Sequence, residues 1–77
     1  MLNEHDRIVL NVDVPAVGLK AGDVGTIVHR YADGQAYEVE FVALDGHTAA
    51  VATLETSAVR EVSRNEIAHA RMLAAAG

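Results

Sequence analysis

The stretch that most limits what this chain can become is Gly18-Leu19-Lys20-Ala21-Gly22-Asp23-Val24-Gly25-Thr26-Ile27-Val28. Three glycines lead into an apolar, β-branched run. Gly18 and Gly22 suit tight turns, because a residue without Cβ reaches positive φ with no steric clash. Gly25 falls inside the strand pattern, where glycine marks a bulge, a bend or a close approach of backbone. A strand entered this way belongs to a small, strongly bent barrel. The stretch is architectural and carries no catalytic group.

The 77 residues allow one domain with one core. A chain of this size buries only about 60–65% of the surface its unfolded form exposes, so stability is modest. The absence of cysteine excludes disulfides, thiolate nucleophiles and cysteine-ligated metal. It fits a reducing compartment, and the expected location is cytoplasmic. No apolar run approaches the roughly 20 residues of a membrane helix. Met1-Leu2-Asn3-Glu4-His5-Asp6 has no basic residue before an apolar segment, so no secretion leader is expected.

Read in order, residues 1–5 form a lead-in. Arg7 to Asp13 reads as a strand with Ile8, Leu10 and Val12 on one face. Val14-Pro15 closes it, since proline donates nothing to a ladder. Leu19 is the one large apolar residue of the loop over 15–22, and is expected to plug a barrel end. Val24 to Tyr31 is the second strand. Asp33-Gly34 signals a hairpin turn. Ala36 to Val42 then alternates cleanly, with Tyr37, Val39 and Phe41 facing inward and Glu38 and Glu40 outward. Asp45-Gly46 is the next turn. Thr48 to Leu54 is a fourth strand and Val59 to Val62 a short fifth, after a turn at Glu55-Thr56-Ser57. From Ser63 the period changes. Ser63 and Glu66 have capping-box spacing, and Ile67, Ala70, Met72, Leu73 and Ala74 follow at helical intervals, which predicts a helix over about 64–75. An isolated helix of that length is marginal in water, so it must dock on the barrel or on a partner.

Five short strands and one helix predict a mainly β fold: a five-stranded antiparallel SH3-like barrel over 1–62 with a C-terminal α-helix over 63–77 packed on it. An oligonucleotide-binding barrel is the structural alternative, usually built from longer strands. The segments Leu19 to Val28, Tyr37 to Phe41 and Asp45-Gly46-His47-Thr48 together resemble a bacterial family of small stand-alone proteins described only as domain of unknown function 4926. The resemblance runs from about Asp6 to Val62. It implies an SH3-like barrel, and no established activity or site residues. Families of this kind often look like the small partner encoded beside a toxin-like protein, which suggests an antitoxin or immunity role. The Gly-Asp-x-Gly-Thr-Ile-Val piece alone also resembles KOW segments of ribosomal and transcription factors and the barrel of nitrile hydratase β subunits.

The residues themselves offer little chemistry. His5, His29, His47 and His69 lack the close pairing and the three or four convergent ligands that a metal site needs. Glu38 and Glu40 share a strand face, with Cα atoms roughly 6–7 Å apart. Paired carboxylates serve glycosidases, but only within a cleft with subsites, which a chain this small does not offer. The plain reading is an acidic strand face that can dock a basic partner. No serine, histidine and acid are placed as a triad, and Gly22-Asp23-Val24-Gly25 lacks phosphate-loop spacing. No catalytic residue, cofactor or metal is therefore expected.

The net charge is −5, and the basic residues Arg7, Lys20, Arg30, Arg60, Arg64 and Arg71 are scattered along the chain. A nucleic-acid binder normally concentrates such residues to neutralise phosphate. Tyr37 and Phe41 share parity with Val39 and belong to the core. Tyr31 ends a strand and is the one aromatic available to a partner. The leading expectation is a non-enzymatic acidic module that binds a protein partner through Glu38, Glu40, Tyr31 and Met72. The alternatives are a KOW-like nucleic-acid-binding barrel and a small accessory subunit of a larger enzyme. Homodimerisation through a sheet edge or the helix is open to all three.

Overall fold

The structure is a computed structural model and describes residues 2–73. Five antiparallel strands form one sheet: β1 (Arg7–Leu10), β2 (Val24–Arg30), β3 (Ala36–Val42), β4 (Thr48–Glu55) and β5 (Val59–Glu61). Their spatial order is β4-β3-β2-β1-β5. Hairpins join β2 to β3 and β3 to β4. A 3₁₀ turn at Thr56–Ala58 carries the chain from one margin of the sheet to the other.

The alternation seen in the sequence sets which face is buried. Ile8, Leu10, Ile27, Tyr37, Val39, Phe41, Leu54 and Val59 form one apolar cluster with Leu19, the loop residue expected to plug it. Fully burying each large apolar side chain stabilises the fold by about 1.5–3 kcal/mol. Leu54 comes from one outermost strand and Val59 from the other, so the sheet bends until both margins line the same core. The closed barrel expected from the glycine pattern is not completed. Among the described residues no ladder joins β4 to β5, and no further strand pairs with the outer edge of either.

Gly25 explains how the bend is achieved. It pairs with Ile8 of β1 and faces the core, where an added Cβ would lie 2.6 Å from Val39 Cγ1 and 2.8 Å from Phe41 Cε2. Of the three roles open to this glycine, the structure selects close approach: β3 side chains fill the space a side chain here would need. Gly18 and Gly22 take φ of 73° and 96°, as their turns demand.

Two expectations fail. Val12 does not join Ile8 and Leu10 on the buried face. The first strand ends at Leu10, and Val12 is 45% exposed in the loop that follows. More consequentially, the predicted C-terminal helix is absent over residues 64–73; its last positions lie outside the described residues. Ser63 and Glu66 do make a capping-like turn. Ser63 N donates to Glu66 Oε1 at 2.7 Å, and Glu66 N donates to the Ser63 carbonyl at 3.2 Å. The chain then runs on without regular structure, and Ile67 and Met72 stand 92% and 90% exposed. With no large apolar stripe to bury, nothing offsets the cost of nucleating a helix.

Candidate functional site

The sheet has an outer face, and its two halves differ. On the β1–β5 half, Val9 pairs with Val24 on one side and Arg60 on the other. It points away from the core cluster, yet it is only 5% exposed. The C-terminal segment is tied down on both flanks of Val9. On the β5 flank, Arg60 donates from both terminal nitrogens to Glu66, at 2.8 and 2.6 Å. On the β2 flank, Arg71 Nε and Nη2 donate to the two Asp23 oxygens at 2.8 and 2.5 Å. Arg71 Nη2 also reaches the Gly18 carbonyl at 3.0 Å. Residues 62–73 thus form a strap across β1.

Asp23 is the hub of that strap. Its carboxylate also accepts the Lys20 amide at 2.8 Å, and its own amide donates to the Lys20 carbonyl at 3.0 Å. The Arg71 guanidinium, more than any other group, holds the Asp23 carboxyl below its ordinary value; the Lys20 amide adds to this, against partial burial. Arg60 and the Ser63 amide together pull the Glu66 carboxyl down to about 2. Bidentate guanidinium–carboxylate pairs of this kind fix geometry as well as charge.

The β2–β3–β4 half of the outer face carries no such strap among the described residues. Glu38 and Glu40 stand on it, each half-buried. Glu38 sits between His29 on β2 and Thr53 on β4, and Glu40 between Thr26 and Val51. The Thr53 hydroxyl donates to Glu38 Oε1, and the Thr48 hydroxyl to Glu40 Oε2 at 2.6 Å. His29 also lies 3.5 Å from Glu4 and packs edge-on against Tyr31, with ring centroids 4.8 Å apart. Tyr31 and Thr53, with Ala32, Asp33, Gln35 and Ala36, line a shallow, open depression, which Thr53 links to Glu38.

Of the four residues singled out from the sequence, the fold brings Glu38, Glu40 and Tyr31 to one surface. Met72 is elsewhere. Its neighbour Arg71 is anchored at Asp23, just before β2 begins, whereas Tyr31 follows the last residue of that strand. The sequence reading missed Asp23 and Arg71 entirely. The available signal was Asp23 within the glycine corner, three residues after Lys20, but nothing local paired it with an arginine 48 positions away. Among the described residues no polar or charged side chain is buried, and no group of three or more histidines or acids converges on a metal-sized site. No helix among them is long and apolar enough to cross a membrane.

A family model described as a domain of unknown function, DUF4926, matches residues 4–61. No curated protein and no solved structure matches the chain.

Proposed function

The chain belongs to the DUF4926 family, and from that premise we propose that it is a non-enzymatic interaction module of SH3-like build that presents the outer face of β2, β3 and β4 to a protein partner. The observation that carries this reading is the pair Glu38 and Glu40. Both carboxylates are aimed by threonine hydroxyls on the neighbouring strand, and Glu38 faces His29, which packs on Tyr31. Fixed acids beside an aromatic rim favour a basic patch on the partner, and the chain's net charge of −5 steers such a partner in. The most specific form of this reading is an antitoxin or immunity-type protein that neutralises an effector encoded beside it.

The cations lend no support to a nucleic-acid role. Arg60 and Arg71 are each held by a carboxylate, and Lys20 precedes β2 whereas Arg30 is its last residue. Phosphate binding needs such groups aligned and available.

The test is co-purification of the tagged protein from its native host, with the Glu38→Lys/Glu40→Lys double variant as control. Capture of a product of a neighbouring gene by the parent protein, and its loss with the double variant, is the expected result. Recovery of only the free protein at micromolar concentration overturns the reading.

A further inference from the structure

We infer that the free edge of β4 pairs with the β4 edge of a second copy of this chain, antiparallel, across Ala50 to Leu54. The inference is independent of the acidic-face reading above and rests on three features of the edge.

The first is which backbone groups face outward. Thr56 N donates to the Gln35 carbonyl, continuing the β3–β4 register in which Ala36 faces Glu55. Hydrogen-bonded pairs alternate along an antiparallel ladder. The pairs Tyr37–Leu54 and Val39–Ala52 therefore carry the ladder bonds, and the N–H and C=O groups of Val51 and Thr53 point away from β3. They form a short template for another strand.

The second feature is the lack of protection. Natural edges are blunted by charge, proline, shortness or a covering segment. The β5 edge has several of these: it is three residues long, carries Arg60 and Glu61, and leads into the strap. The β4 edge is eight residues long, has no proline, and carries no charge from Thr48 to Leu54. Its one irregularity lies where Phe41 faces Ala50 but Val42 faces Thr48, beyond the pairing segment. Val51 at its middle is 50% exposed.

The third feature is self-complementarity. A two-fold pairing that sets Val51 opposite Thr53 of the second copy satisfies the outward groups of both residues on both chains. β-Branched pairs of this kind favour antiparallel ladders. The two Glu55 carboxylates then fall at opposite ends, about 20 Å apart along the strand at ~3.4 Å per residue. Glu38 and Glu40 lie one strand back. Across the junction they stand about 14 Å from their counterparts, beyond the ~8–10 Å screening length at physiological salt. An uncharged edge is what a symmetric contact between two acidic chains requires.

Sedimentation equilibrium from about 10 μM to about 1 mM tests this, read together with amide exchange and with a Val51→Lys variant. Val51 is half-exposed in the monomer, so the variant keeps the fold, which circular dichroism verifies. The expected result is a monomer–dimer equilibrium with concentration-dependent protection at the Val51 and Thr53 amides, weakened at least tenfold by Val51→Lys. A protein that stays monomeric at 1 mM overturns the inference. So does a dimer that Val51→Lys leaves intact, or one whose new protection falls on β5.

Discussion

The two ends of this sheet solve the same problem in opposite ways. At the β1–β5 end the strands are short, with four and three residues. Their outer face is covered by a strap held through Glu66 and Asp23. At the β3–β4 end the strands are long, carry most of the ladder, and have no such cover on their outer face or edge among the described residues. Short strands supply few ladder bonds, so that end draws stability from ion pairs and from burying Val9. Long strands need no such cover. The difference implies a division of labour: one end is fastened shut, and the other is available for contact.

Gly25 joins the two ends, and disturbing it gives the largest effect. It pairs with β1 while its Cα faces Val39 and Phe41 of β3. Gly25→Ala forces those packed side chains apart and is expected to cost about 2–3 kcal/mol, as overpacking in a filled core does. Chemical denaturation followed by fluorescence of the tyrosines measures it. A single, coincident loss of both ends is expected. Separate transitions would mean that the ends are independent units, and the comparison would have to be redrawn.

How much of this was visible beforehand follows from the range of the forces involved. The β3 strand was legible residue by residue, because Tyr37, Val39 and Phe41 alternate with Glu38 and Glu40, and a period of two has one simple structural meaning. Leu19 was legible because it is the largest apolar side chain in its loop. Glu38 and Glu40 could be placed on one face by parity and Tyr31 at a strand end by its turn, but that Tyr31 shares their surface follows from the β2–β3 pairing. The strap could not. Ser63 and Glu66 gave a true local signal and do form their turn. What comes after the turn is decided by Arg60 and Asp23, far apart along the chain, and the spacing of Ile67, Ala70 and Leu73 imitates a helical stripe without enough apolar bulk to sustain one. Barrel closure failed for a related reason. Glycine corners report that a sheet bends, and not whether its margins meet.

Acid should release the strap before it unfolds the sheet, an effect smaller than that of Gly25→Ala but larger than losing either tie alone. Asp23 and Glu66 both have carboxyls held below their ordinary values, Glu66 at about 2 against 4.5. A group depressed in the folded state contributes stability above its unfolded pKa, and that contribution is lost as pH falls through the folded value. The strap is therefore intact above about pH 4.5 and loosens between there and about pH 2. Methyl resonances of Val9, followed by NMR down that range, should shift toward solvent-exposed values while those of Val39 hold. Simultaneous movement of both would show that the strap has no separate transition.

Removing one anchor gives the smallest effect and the sharpest division between the ends. Asp23→Ala takes away both oxygens that receive Arg71 and the acceptor for the Lys20 amide, leaving the Gly18 and Met72 carbonyls for the guanidinium. A partly buried, charge-assisted set of this kind is worth about 1–2 kcal/mol. Arg71→Ala spares the Lys20 turn, so it should cost less, although it opens the same flank of Val9. Both variants should speed amide exchange in β1 and β5 and leave the β3–β4 ladder unchanged, because the strap's hydrogen bonds among the described residues go to Arg60, Gly18 and Asp23. The order Asp23 above Arg71, with β3–β4 protection constant, is what a strap confined to the β1–β5 end of the sheet predicts. Equal loosening across all five strands would instead make Asp23 a support of the whole sheet through its turn, with Arg71 incidental to it.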